Sequence, residues 1–168
     1  MKKLVIIGAG GYGQMVYDIA DQSGKYEKII FLDDNSDLAC GKCDEWVDYL
    51  NEYDIYPAFG NNEKRLSFVE KILKANGNVP TIIHKSAYVS PMSKIDVGCV
   101  VMPMAAVNTN TVIEKGCIIN TSSIIDHGSI IEKGCHICLG AVVKAENRIK
   151  SLTKVQAGEI IEDRTYPV

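Results

Sequence analysis

Long apolar runs are missing from this sequence. None approaches the ~20 residues that a membrane-spanning helix needs, and the N-terminal run Leu4 to Ile7 stops at Gly8. Behind Lys2-Lys3, that run is too short for a secretory leader, so a cytoplasmic protein with no membrane span is expected. Positive charge is also short: 18 Lys and Arg against 21 Asp and Glu leave a net charge of −3, with no basic patch to offset it. Nucleic acid and anionic membranes are therefore not expected partners, since neither would be attracted. Zinc-binding spacing is incomplete: Cys40 and Cys43 form a lone C-x-x-C without a second pair or a nearby His, so no metal is expected. Histidine is scarce, with only His84, His127 and His136 in 168 residues. The rest, 46% hydrophobic and 23% charged, is the make-up of one or two small soluble domains.

What the sequence does have is a repeat. Every sixth residue from Ile83 to Ile161 is Ile or Val, fourteen positions in unbroken register. Four places after most of them stands a small side chain, among them Ala87, Ser93, Ala105, Thr111, Ser123, Ser129 and Ala141. A longer period of 18 runs through the same segment in Gly98-Cys99, Gly116-Cys117 and Gly134-Cys135. Six nested in eighteen describes a coil with three flat sides, each a short strand stacked on its equivalents at ~4.8 Å. The β-branched residue points into the prism, and the small one fits the corner where bulk would strike the next layer. Ordinary amphipathic strands would keep a period of two but have no reason to keep six. A parallel β-helix is expected, with ends that need covering. Glu146, Asn147, Arg148 and Lys154 dilute the pattern near its end, so the last coil reads as a polar cap. Cys99, Cys117 and Cys135 fall on the small-residue corners and read as packing thiols of a reducing compartment, not a disulfide framework.

Ahead of the repeat lies a different grammar. The apolar run Lys3 to Ile7 ends in Gly8-Ala9-Gly10-Gly11-Tyr12-Gly13, and a helical pattern follows with Met15, Val16, Ile19 and Ala20 on one face. A second strand, Ile29 to Leu32, closes on Asp33-Asp34. Strand, glycine turn, helix, strand and acid is the order of a mononucleotide-binding βαβ unit. The glycines admit a phosphate to the backbone, the helix N-terminus supplies free N–H groups, and the acids can bond a ribose or base. After an irregular stretch to Asn51 come one further strand, Ile55 to Phe59, and Gly60-Asn61 at its carboxyl edge. A second helix runs from Glu63 to Ala75. That is half a dinucleotide fold, suited to one nucleotide. A turn that merely packs a helix on a sheet is the bland alternative. Val79-Pro80-Thr81 is the expected hinge between an α/β domain of residues 1–80 and an all-β domain of residues 81–168.

Two histidines fall in the solenoid where the repeat needs no ring. With Ile125 inside, His127 belongs near the outer surface, and His136 is displaceable outward half a coil on. Imidazoles on a rigid scaffold suit proton transfer near neutral pH, although surface decoration fits the spacing equally.

Taken together, several segments resemble one family. They are Gly8 to Gly13, Phe31 to Asp34, Gly60 to Glu63, Ile83 to Ala87, Ile113 to Gly116, Asn120 to Ser123 and Asp126-His127. Over Lys3 to about Val143 the chain is similar to hexapeptide-repeat acyltransferases that acetylate nucleotide-linked sugars. These are the sialic-acid O-acetyltransferase and UDP-4-amino-sugar N-acetyltransferase family. The resemblance implies a Rossmann-like nucleotide-sugar domain on a left-handed β-helix that trimerises, with active sites between subunits. It implies acetyl-CoA as cosubstrate and a UDP-linked amino sugar as acceptor. His127 would be the base, with Asn120 and His136 near the thioester and Gly140 beside His136 in coenzyme binding. Gly8, Gly10, Gly11, Tyr12 and Gly13 would cradle the nucleotide-sugar phosphates, and Asp33, Asp34, Gly60 and Asn61 would hold the uracil or ribose. One departure stands out: an acid usually follows the histidine in that family, and here Gly128 does. Two alternatives stay open, a trimeric nucleotide-sugar-binding homologue without activity and an O-acetyltransferase of a sialic acid.

Overall fold

The computed structural model describes residues 2–168, which form two compact units divided between Ile82 and Ile83. In the first, β1 (Lys2–Ile7), β2 (Tyr26–Leu32) and β3 (Asp54–Pro57) make a parallel sheet in the order β2-β1-β3. Leu4, Val5, Ile6 and Ile7 are all fully buried, as a central parallel strand covered on both faces requires. Helix α1 (Gly11–Gln22) follows β1 and buries Val16, Ile19 and Ala20, while Met15, expected on that face, stays 40% exposed. Helix α2 (Asn62–Lys74) follows β3 and buries Leu66, Val69 and Ile72. The stretch expected to be irregular holds a 3-10 segment, Cys43–Tyr49, whose first N–H is met by Asp34 Oδ1 at 3.0 Å. Cys43, Trp46 and Tyr49 of that segment join the core of the unit. No helix among the described residues is long and apolar enough to cross a membrane.

The second unit is a left-handed parallel β-helix of two-residue strands. One side stacks β4 (Ile82–Ile83), β7 (Val100–Val101), β10 (Ile118–Ile119), β13 (His136–Ile137) and β16 (Lys154–Val155). The second stacks β5 (Tyr88–Val89), β8 (Ala106–Val107), β11 (Ile124–Ile125), β14 (Val142–Val143) and β17 (Ile160–Ile161). The third holds β6 (Lys94–Ile95), β9 (Val112–Ile113), β12 (Ile130–Ile131) and β15 (Arg148–Ile149). The residue heading each hexad fills the prism, and from Val101 to Ile161 all of them are buried. Ile83, in the end strand of its sheet, is 42% exposed.

The small corner residues do more than save space. Cys99, Cys117 and Cys135 donate Sγ–H to the carbonyls of Glu114, Glu132 and Lys150 at 3.1, 3.1 and 3.0 Å. Thr111 and Ser129 make the same bond to Asp126 and Lys144, both at 3.2 Å. Each donor reaches the carbonyl fifteen residues ahead, so the position selects a compact donor that ties one coil to the next. Burial pushes the Cys117 thiol well above its ordinary value, in keeping with an inert packing group.

The last coil is polar and exposed outside but keeps the core positions of the repeat. Val155 and Ile161 stay in the core, and Asn147 is fully buried with its amide satisfied. Asn147 donates to the Lys144 and Glu162 carbonyls at 2.9 and 2.8 Å and accepts the Tyr166 N–H at 2.8 Å. Residues after Ile161 thereby fold back against β15, with an antiparallel bridge between Asn147 and Pro167.

Candidate active site

The carboxyl ends of the three parallel strands surround a pocket of about 380 Å³ in the first unit. It lies where the strand order reverses about β1, the usual ligand position of open α/β sheets. Gly8, Gly10, Gly11, Tyr12, Gly13, Asp33, Asp34 and Gly60 all line it, as their spacing predicts. Helix α1 begins there at Gly10 and Gly11 with no side-chain cap, which leaves its first N–H groups to the pocket. An added Cβ at Gly10 or Gly11 would meet nothing within 4 Å.

Four assignments change in detail. At Gly13, which also lines the pocket, a Cβ would lie 2.0 Å from the Gly8 carbonyl oxygen, so the contact of helix and strand by itself requires a glycine here. Asp33 is largely committed to the turn, accepting Ala9 N–H and Asn35 N–H at 2.8 Å each. The Ala9 bond and then the Asn35 bond hold its carboxyl below the usual value. Asp34 fastens the 3-10 segment and also bonds Lys42 through its carbonyl at 2.8 Å. Asn61 is the N-cap of α2, its Oδ1 accepting Lys64 N–H at 2.8 Å. The pocket's cation, Lys64, was not singled out by the sequence; its Nζ stands 4.0 Å from the Phe59 ring centroid, and both residues line the cavity. The signal for it was its place in the first turn of a helix opening at the sheet's carboxyl edge.

On the β-helix, Asn120 and His136 come together. Asn120 Oδ1 accepts Thr121 N–H at 2.8 Å, which fixes the amide and turns Nδ2 towards His136 Nε2, 3.0 Å away. In that orientation the amide Nδ2 faces the ring as donor and Nε2 faces it as acceptor. Gly140 is exposed on the same corner, one layer above Ser122, with open space where a Cβ would be. His127 is exposed and sits elsewhere, at the corner that follows β11. Asn120 opens the corner that leads into the second side of the prism, and His127 lies where that side ends. A single chain therefore does not bring the two groups together.

Two columns of residues flank His127, each step one 18-residue coil. Asn108 donates to Asp126 Oδ1 at 3.0 Å, and the same oxygen accepts the His127 backbone N–H at 2.7 Å. Burial raises the Asp126 carboxyl, but these two bonds and the His127 charge outweigh it and hold it below the ordinary value. Above Asp126, Lys144 bonds Glu162. Asn110, Gly128, Glu146 and Arg164 form the neighbouring column, all with left-handed φ of 58°, 68°, 57° and 52°. Arg164 Nε donates to Glu146 Oε2 at 2.6 Å. The spacing that finds Glu146 is the repeat's own, applied to a polar corner instead of the core.

Residues 3–72 match the model of the PglD N-terminal domain. The whole chain resembles the acetyltransferase domain of PglB from Neisseria gonorrhoeae, with 32% identity over 98% of this chain and 84% of that one and a TM-score of 0.95. The same domain in complex with acetyl coenzyme A matches at 32% identity, 97% and 83% coverage and a TM-score of 0.93. A mutant perosamine N-acetyltransferase from Caulobacter crescentus, in complex with CoA and GDP-perosamine, shares the fold at 23% identity, covering 98% of this chain and 92% of that one, with a TM-score of 0.81. With a βαβ pocket, an unbroken hexapeptide coil and nearly a third of its residues shared with such a domain along almost its whole length, the chain belongs to the hexapeptide-repeat sugar acetyltransferases.

Proposed function

We propose that this protein transfers acetyl from acetyl-CoA to the amine of a UDP-linked 4-amino-4,6-dideoxy sugar, as a homotrimer with sites between subunits. The observation that carries the proposal is the placement of His127 apart from the Asn120–His136 pair, in a chain 32% identical to an acetyltransferase domain solved with acetyl coenzyme A. A three-sided prism makes three-fold assembly natural, and packing three copies side by side sets the corner of one against the neighbour's next side.

In this reading the first unit holds the nucleotide: the α1 N-terminus and the Gly10-Gly11 backbone meet the diphosphate, and Lys64 adds positive charge. The chemistry belongs to the coil. The sugar nitrogen attacks the thioester carbonyl, the new C–N bond forms, and the C–S electron pair leaves with the CoA sulfur. His127 takes the proton lost by the amine, which contributes ~10²–10⁴-fold. The Asn120–His136 pair and Gly140 line the corner where the thioester lies.

Incubation with the UDP-amino sugar and acetyl-CoA, read by mass spectrometry of the nucleotide sugar and by thiol release, tests the proposal. Wild type is expected to add one acetyl group per sugar. His127→Ala should lower kcat ~10²-fold or more with KM nearly unchanged, since the proton is taken only in the transition state. A sugar acetylated on a hydroxyl instead of the amine would change the acceptor, and equal slow turnover by wild type and His127→Ala would remove the base.

A further inference from the structure

Gly128 leaves His127 without a neighbouring side chain on its own coil, and the next coil fills the gap. Residue 146 stacks directly on residue 128, and its N–H donates to the His127 carbonyl at 3.0 Å. The Glu146 side chain lies back across the layer below it: a Cβ built on Gly128 would stand 3.2 Å from Glu146 Cγ. Glu146 thus occupies the space that a side chain at 128 would take, adjacent to His127. Its ionisation reflects this position. The Arg164 bond first, then the Arg164 charge, lower its carboxyl against the opposing effect of burial, and the His127 charge lowers it further.

The other charges around the ring are already engaged. Asp126 Oδ1 serves the His127 backbone and Asn108. Lys144 is joined to Glu162, and Asp163 Oδ1 accepts the Ala145 N–H at 3.0 Å. Arg164 approaches Glu146 through Oε2 only. A carboxylate has two oxygens and about four acceptor sites, so one held by a guanidinium keeps capacity for an imidazole N–H.

We propose that Glu146, reaching down from the coil above and steadied by Arg164, is the positioning residue for the His127 ring, taking its N–H and leaving the opposite nitrogen to accept the acceptor's proton. The inference rests on His127 acting as the base. Glu146 itself touches no substrate; it selects one tautomer and one orientation of the ring, as a carboxylate beside an imidazole commonly does.

Long-range ¹H–¹⁵N spectra of the full-length labelled protein test the placement directly, with His127 assigned from a His127→Gln sample. Wild type should show one predominant neutral tautomer at His127, and Glu146→Gln, which is isosteric, should show two in exchange. In the transfer assay Glu146→Gln should lower kcat roughly 10-fold with both KM values nearly unchanged. Gly128→Asp alone should bring no gain, because its side chain meets Glu146 at 3.2 Å. Combined with Glu146→Gly, it returns a carboxylate to the same space, at a φ that Asn110, Glu146 and Arg164 already adopt in this column. The double variant should recover both the single tautomer and turnover. An unchanged tautomer and unchanged kcat in Glu146→Gln, with only a lower melting temperature, would overturn the proposal and leave Glu146 a clamp for Arg164. If wild type transfers no acetyl group, the base assignment fails, and the nitrogen spectra still decide whether Glu146 orients the ring.

Discussion

A glycine can be required by a ligand or by the chain itself, and the turn after β1 offers a candidate for each. Gly10 borders the pocket with nothing within 4 Å of a virtual Cβ, whereas at Gly13 the same atom would sit 2.0 Å from the Gly8 oxygen. Backbone cannot swing aside as a long side chain can, so Gly13→Ala must separate α1 from β1. The expected cost is about 3 kcal/mol, or roughly a 12–24 °C fall in melting temperature for a unit of this size. Gly10→Ala, at an ordinary φ of −69°, should melt like wild type and weaken UDP binding instead. Thermal melts beside a calorimetric UDP titration separate the two. Equal destabilisation by both changes would show that the turn, not a ligand, demands all of its glycines.

At the scale of the strand and its corner, a period of six was enough to place every β-helix strand, because each is a two-residue element set by one inward Ile or Val. The βαβ order was legible for a similar reason, since a strand covered on both faces must read as a continuous apolar run. What the sequence did not disclose depends on stacking: which donor meets which carbonyl, that Asn61 caps a helix, and that Glu146 covers Gly128. The corner thiols show the difference. They read as small packing groups, yet Cys117 also donates to Glu132 at 3.1 Å, as Ser129 does to Lys144 at 3.2 Å. Cys117→Ser keeps a compact donor and should cost at most about 1 kcal/mol. Cys117→Val removes the donor, leaves the part-buried Glu132 carbonyl without it and adds volume at a corner. It should cost about 2–4 kcal/mol in urea unfolding. A Val variant as stable as the Ser one would mean that size alone governs the corner.

For the whole molecule, the prism presents the parts of the proposed site at two ends of the same side. His127 lies after β11, while Asn120 bonds His136 on the corner before it. Nothing in one chain can close that gap, because consecutive strands of a rigid coil do not slide. In the proposed three-fold ring each side would face a neighbour, so every site would take His127 from one copy and the Asn120–His136 pair from another. This makes complementation a sharper test than mass alone. At acetyl-CoA well below its KM, His127→Ala trimers, which lack the base, and His136→Ala trimers, which bind acetyl-CoA weakly, are each expected to turn over slowly. Unfolded together in equal amounts and refolded, they form mixed rings at random. A site is intact only when the His127 donor is the His136→Ala chain and its partner is the His127→Ala chain. Two independent choices of one in two leave about a quarter of the sites whole, so about a quarter of wild-type turnover should return. Light scattering should give about three times the 18.4 kDa chain mass for each sample. Trimers that recover no activity on mixing would confine each site to a single chain, and a monomer that acetylates the sugar at full rate would do the same.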